Sequence, residues 1–76
     1  MAQPVVIVHN KIRALRAERA EMTQQQLADQ VGVSRQTVNA IEGGKYSPSL
    51  EVAFLIARAL GTTLDEVFTC EVVRKK

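Results

Sequence analysis

The chain has 76 residues, of which 46% are hydrophobic, 24% charged and 4% aromatic. That length gives one small domain with a core of Leu, Ile, Val and Ala, near the size at which a single core is only marginally stabilising. One cysteine, Cys70, and one histidine, His9, exclude an internal disulfide and leave too few soft ligands for a structural zinc site. The expected supplement to stability is therefore oligomerisation, and no metal or cofactor is expected.

The longest apolar run is Val52-Ala53-Phe54-Leu55-Ile56-Ala57, far below the roughly 20 residues of a membrane span. The N-terminus does not read as a secretory leader, so the expected location is the cytoplasm. Net charge is +2 with a pI of about 9.0, a weak sign of an anionic partner. Its distribution says more. Lys11, Arg13, Arg16 and Arg19 stand against Glu18 in the first 20 residues, and Arg74, Lys75 and Lys76 against Glu71 at the other end.

In chain order, Pro4 followed by Val5-Val6-Ile7-Val8 predicts a short strand, about 4–8. Asn10 is placed to cap a helix over 11–20 with Ile12 and Leu15 on one face. His9 then reads as a linker residue. Thr23 and Gln26 spell a capping box, followed by Leu27, Ala28 and Val31 at the spacing of a buried helical face. Gly32 suits a left-handed turn, and Ser34 caps a second helix carrying Val38 and Ile41 inward and stopping at Gly43-Gly44. The loop 43–48 is rich in turn formers. Ser49 caps an apolar helix from Leu50 to Leu60, closed by Gly61. Thr63 and Glu66 form another capping box for a short helix through Phe68, and a strand at about 69–73 precedes the basic tail. Cys70 in that strand reads as a packed or half-exposed thiol. Five helices with a strand at each end predict an all-α domain spanning 1–76. Its strands pair antiparallel within the chain or across a dimer.

Residues 23–42 therefore read as helix, tight glycine turn, helix. Ala28 keeps the crossing close, and Val33, Val38 and Ile41 fasten the second helix to the first. Ser34, Arg35, Gln36, Thr37, Asn39 and Ala40 are left on the outer face. Their chemistry matches base edges: Arg pairs with guanine, Gln and Asn with adenine, Thr and Ala with the thymine methyl. Backbone-positioning contacts are expected from Gln24 at a helix start and from Lys45 in the loop.

The stretch TQQQLADQVGVSRQTVNAIEGGKYSPSLEVAFLIARALGTTLDEVF resembles the Cro/C1-type (XRE) helix-turn-helix regulators over about residues 10–68. The resemblance implies a five-helix, lambda-repressor-like domain that binds double-stranded DNA as a dimer on paired half-sites, usually to repress. By position it implies base reading by Arg35, Gln36, Thr37, Asn39 and Ala40, and phosphate contacts from Gln24, Ser34, Gly44, Lys45, Tyr46 and Ser47. It also implies that Gln24 braces the recognition helix and that Arg16 and Glu42 form a structural pair. One departure is visible: Ala20-Glu21-Met22 adds a residue between Arg16 and Thr23 relative to the commonest pattern. The Val-rich first strand is also an addition to the minimal domain.

A polar helix face is often no more than a solvated face, and the Arg16–Glu42 pair could be an ordinary surface pair. The surrounding motif favours DNA reading for the first and a partly buried bridge for the second. The alternative function is an antitoxin that binds a toxin protein, for instance at a terminal strand edge, and autoregulates its operon. An enzyme is not expected, because the chain offers no nucleophile–base set, no paired carboxylates and no phosphate-cradling glycine loop.

Overall fold

The computed structural model describes residues 4–74. Its elements are β1 (Pro4–Asn10), α1 (Ile12–Glu18), α2 (Gln24–Val31), α3 (Arg35–Glu42), α4 (Leu50–Ala59), α5 (Leu64–Val67) and β2 (Phe68–Arg74). The basic tail expectation falls on Lys75, Lys76 and the Arg74 side chain, outside the described residues. No helix among the described residues is long and apolar enough to cross a membrane.

Local chemistry sets most of the helix starts. At Thr23 the capping box is complete: Thr23 Oγ1 accepts from Gln26 N at 3.0 Å, and Thr23 N donates to Gln26 Oε1 at 2.8 Å. Ser34 accepts from Thr37 N, Ser49 from Val52 N and Thr63 from Glu66 N. Gly32 at φ 87° ends α2 in the left-handed region, where an L side chain would be strained. The helices close over Ile12, Leu27, Val38, Ile41, Ile56, Leu60 and Val67, all essentially fully buried, with Ala28 sealed beneath them.

Three local expectations are corrected. Asn10 is not the residue at the α1 cap position, which is Lys11; Asn10 is the last residue of β1. Its Oδ1 still accepts from Ile12 N at 3.2 Å, while its Nδ2 reaches the Ile41 and Glu42 carbonyls at 3.1 and 3.3 Å. One amide thus serves the start of α1 and the last turn of α3. His9 is no linker: it lies in β1, with Nε2 3.2 Å from Glu71 Oε1 on β2. Cys70 is exposed on the ribbon rather than packed.

The strands pair within the chain, antiparallel, from Pro4↔Arg74 to Asn10↔Phe68. They run further towards the helical body than the sequence suggests, because Asn10 and Phe68 have fixed positions there. Opposed residues share a face, so Val6, Val8, Cys70 and Val72 lie on one side of the ribbon. Val5, Ile7, His9, Thr69, Glu71 and Val73 lie on the other.

The additional residue before Thr23 is absorbed in the turn after α1. Ala20 and Glu21 both take φ 53°, and Met22 N donates to the Arg16 carbonyl at 3.0 Å. The Arg16–Glu42 pair is undisturbed. Arg16 Nε donates to Glu42 Oε2 at 2.7 Å, Nη2 to Oε1 at 3.0 Å, and Nη1 to the Met22 carbonyl at 2.7 Å. The two side chains are only 14% and 9% exposed, so this is a bidentate, mostly buried bridge between α1 and α3.

Two stability predictions follow from this geometry. Glu42→Ala leaves the Arg16 guanidinium desolvated and unpaired, and should cost about 3 kcal/mol in urea unfolding; a loss under about 1 kcal/mol would place the pair among ordinary surface bridges. Ala20→Gly relieves a left-handed alanine and should raise stability by about 0.5–1 kcal/mol. A loss of stability in that variant would contradict the strain.

Candidate nucleic-acid interface

The amphipathicity of α3 decides what it presents. Val38 and Ile41 are pinned in the core, and with about 100° per residue this turns Gln36, Asn39 and Ala40 outward. Arg35, Gln36 and Asn39 are exposed, whereas Thr37 and Ala40 are half-buried. Ser34 lies at the helix start, its Oγ 2.9 Å from Thr37 Oγ1.

Two depressions flank this face. One is a notch of about 570 Å³, to which α1 gives Arg13 and Arg16, α2 gives Gln24, α3 gives Asn39, Ala40 and Glu42, and the following loop gives Gly43 and Lys45. The other, about 270 Å³, is lined by Ser34, Gln36, Thr37, Ala40 and the loop's Tyr46. Ala40 borders both, so the two form one surface along the helix.

The sequence-derived residues divide accordingly. The structure brings Gln24, Asn39 and Lys45 together in the notch, with the Arg16–Glu42 pair as its floor. It brings Ser34, Gln36, Thr37, Ala40 and Tyr46 together in the second depression. Arg35 is exposed on α3 but lines neither. Gly44 and Ser47 border a separate hollow between the loop and β1, shared with Val6, Ile7 and Pro48. The Gly44 N–H donates to the Ile41 carbonyl at 3.1 Å and the Lys45 N–H to the Ala40 carbonyl at 2.9 Å. Those amides close the end of α3, which leaves the Lys45 ammonium and the Tyr46 and Ser47 hydroxyls as the loop's outward donors.

Electrostatically, Arg16 is matched by Glu42, whereas Arg13 and Lys45 are in no ion pair among the described residues. Two free cations therefore border a surface that is otherwise polar and uncharged at Gln24 and Asn39. Cations at the rim with amides at the centre suit a polyanion carrying hydrogen-bonding edges. Gln24 Nε2 lies 3.2 Å from both Asn39 Oδ1 and Glu42 Oε1, so it braces α3 against α2.

Two residues of this surface have no counterpart in the sequence reading. Arg13 stands one helical turn before Arg16, and that i, i+3 spacing was the available signal. Asn10 supports the surface from beneath by holding the Ile41 and Glu42 carbonyls. No local pattern announces that contact, since it spans 31 residues of sequence.

The helix-turn-helix family model matches residues 12–67. The chain is 48% identical over 62 residues to an HTH-type transcriptional regulator of Methanocaldococcus jannaschii, covering 82% of this chain and 92% of that relative. It is 37% identical over 60 residues to the control protein C.MunI of a Mycoplasma species, covering 79% and 81%. It is 36% identical over 69 residues to the immunity repressor protein of Bacillus phage phi105, covering 91% of this chain and 47% of that one. The matched span runs from the start of α1 to the end of α5 and contains both helices of the outward-facing unit. The chain belongs to the helix-turn-helix family of Cro/C1 (XRE) type, a family of DNA-binding transcriptional regulators.

Proposed function

We propose that this protein is a sequence-specific, dimeric repressor that reads double-stranded DNA with α3 and acts by occupying promoter DNA in the cytoplasm. The observation that carries the reading is the outer face of α3: neutral amides at its centre, exposed Arg35 at its start, Arg13 and Lys45 in no ion pair among the described residues at its rim, and a buried underside that fixes its aim. Arg35, Gln36, Thr37, Asn39 and Ala40 face base edges. Lys45, Arg13, the backbone N–H of Gln24 at the start of α2, Ser34 and the Tyr46 and Ser47 hydroxyls face phosphates. Occupancy alone represses, so the mechanism needs no chemical step and no cofactor, and the 76 residues act as one unit.

Dimerisation is supported by the surface that the ribbon leaves uncovered. Val6, Val8 and Val72 share one ribbon face and are 56%, 43% and 54% exposed. At its base, Val8 and Phe68 line an apolar groove with Pro48, Leu50 and Leu64. Leu50 and Phe54, 67% and 49% exposed, continue that strip along α4 at i, i+4. At about 80 Å² apiece, these side chains leave on the order of 400 Å² of apolar surface. A standard interface needs roughly 500 Å² of apolar surface per partner. The occupant is a second copy of this chain, related by a two-fold axis, and the operator is correspondingly an inverted repeat with half-sites about 34–36 Å apart.

Duplex selection from a random-sequence pool at about 150 mM salt tests the reading and should enrich two inverted half-sites. Lys45→Ala should weaken binding to every sequence and reduce the salt slope by about 1, whereas Gln36→Ala should relax preference at one position by about 1–3 kcal/mol. Indistinguishable behaviour of the two variants would contradict the division of roles. Enrichment of nothing would contradict DNA reading itself, whereas an enriched duplex together with a distinct small protein that co-purifies on the ribbon would favour the antitoxin alternative, which keeps operon binding. For the dimer, sedimentation of wild type and Phe54→Glu should give dimer and monomer respectively. A wild-type monomer at about 100 μM, well above the Kd expected of a standard interface, would remove the proposed interface.

A further inference from the structure

The notch holds a chain of hydrogen bonds in which each partner dictates the orientation of the next. It begins at a charge that does not change. Arg16 stays protonated and donates to both carboxylate oxygens of Glu42, at 2.7 and 3.0 Å. Both oxygens of the Glu42 carboxylate thus act as acceptors.

Glu42 Oε1 lies 3.2 Å from the Gln24 amide. The Gln24 atom facing it must therefore be Nε2, because Oε1 in that place would set oxygen against oxygen. Nε2 has two hydrogens. One serves Glu42, and the other points to Asn39 at 3.2 Å, where it must meet an acceptor. That acceptor is Oδ1; the reverse orientation would oppose two NH2 groups. Asn39 is thus left with Oδ1 turned inward and Nδ2, a double donor, without a protein partner among the described residues. Asn39 is exposed, so this donor faces outward from α3.

We propose that the Arg16–Glu42 pair, acting through Gln24, sets the base preference of Asn39 by fixing its amide with the donor outward. The inference rests on the DNA-reading assignment above and deepens it. An asparagine with both amide atoms available reads adenine, accepting from N6 and donating to N7. With Oδ1 held by Gln24, the outward Nδ2 calls instead for a base edge carrying acceptors only. Guanine, with O6 and N7, meets both hydrogens; thymine offers O4 to one of them beside its methyl group, and adenine offers N7 to one while setting its N6 donor against the other. Asn39 is the base-contacting residue. Gln24, Glu42 and Arg16 are positioning residues that make an ambiguous amide specific.

The test combines orientation in the free protein with selection from random duplexes. In ¹⁵N spectra of the free protein, the Gln24 side-chain NH2 should exchange with water more slowly than that of Asn39; the opposite order overturns the assigned orientation. In selection, the position lost in Asn39→Ala identifies the base pair under this residue, and in the wild-type site it should be guanine. Asn39→Asp keeps an acceptor for Gln24 and places a second acceptor outward. It should keep the fold, bind more weakly to all DNA and move the preference at that position alone to cytosine. Gln24→Leu frees the amide to turn and should admit adenine there while leaving other positions as they were. A purely structural role for Gln24 would lower affinity without changing that base.

Adenine at the wild-type position overturns the donor-outward rule while leaving DNA reading in place. Ordered Gln24 exchange with no enriched duplex overturns base reading itself and the proposal with it. Unchanged preference in both Asn39 variants overturns the contact.

Discussion

The Arg16–Glu42 bridge is the contact on which the presentation of α3 depends. It joins the first helix to the last turn of the third through two charge-assisted hydrogen bonds in a mostly buried setting. A nonpolar substitute would hold the helices together as well or better. What an apolar pair would not supply is a fixed acceptor at the base of the notch, and Gln24 takes its orientation from that acceptor. The bridge therefore links packing to recognition: the same carboxylate that closes the fold also organises the polar surface above it.

A second support comes from the ribbon. Asn10, where β1 ends, donates to the Ile41 and Glu42 carbonyls, groups that a helix end leaves without intrahelical partners. The end of α3 is thus held from one side by Arg16 and from beneath by Asn10. The turn after α1 accommodates this with Ala20 and Glu21 in the left-handed region. At a cost of about 1–2 kcal/mol per left-handed residue, that turn sets Met22 against Arg16, with Met22 N donating to the Arg16 carbonyl and Arg16 Nη1 to the Met22 carbonyl. The ribbon extends the bundle, consistent with principal extents of 46 × 21 × 19 Å, and carries apolar residues out to the surface.

Much of this was legible in the sequence wherever the cue was local. Thr23 with Gln26, Ser34 and Ser49 announced their helix starts through their own chemistry, and Gly32 its turn through its conformational freedom. Val38 and Ile41 fixed the aim of α3 by periodicity. The strand pairing followed from apolar edges needing a partner. Residues whose roles depend on distant contacts were not legible. Asn10 looked like a helix cap because it does accept from Ile12, but its second function lies 31 positions away. His9 looked like a linker because Glu71, its diagonal neighbour across the ribbon, is 62 positions distant. Arg13 had a usable signal, its spacing from Arg16, but a cation on a short helix is ordinarily just solvated.

The most direct test of the central claim is a titration of ¹⁵N-labelled protein with the duplex enriched by selection, followed amide by amide. The account predicts perturbation at Gln24, across residues 34–40 and through the loop 43–47, with side-chain shifts at Asn39 and Gln36. The ribbon strands and the exposed face of α4 should remain at their free-protein positions. Perturbations centred on the ribbon and α4, with α3 unchanged, would contradict α3 as the reading surface and transfer the DNA contact to the face assigned here to a second copy of the chain.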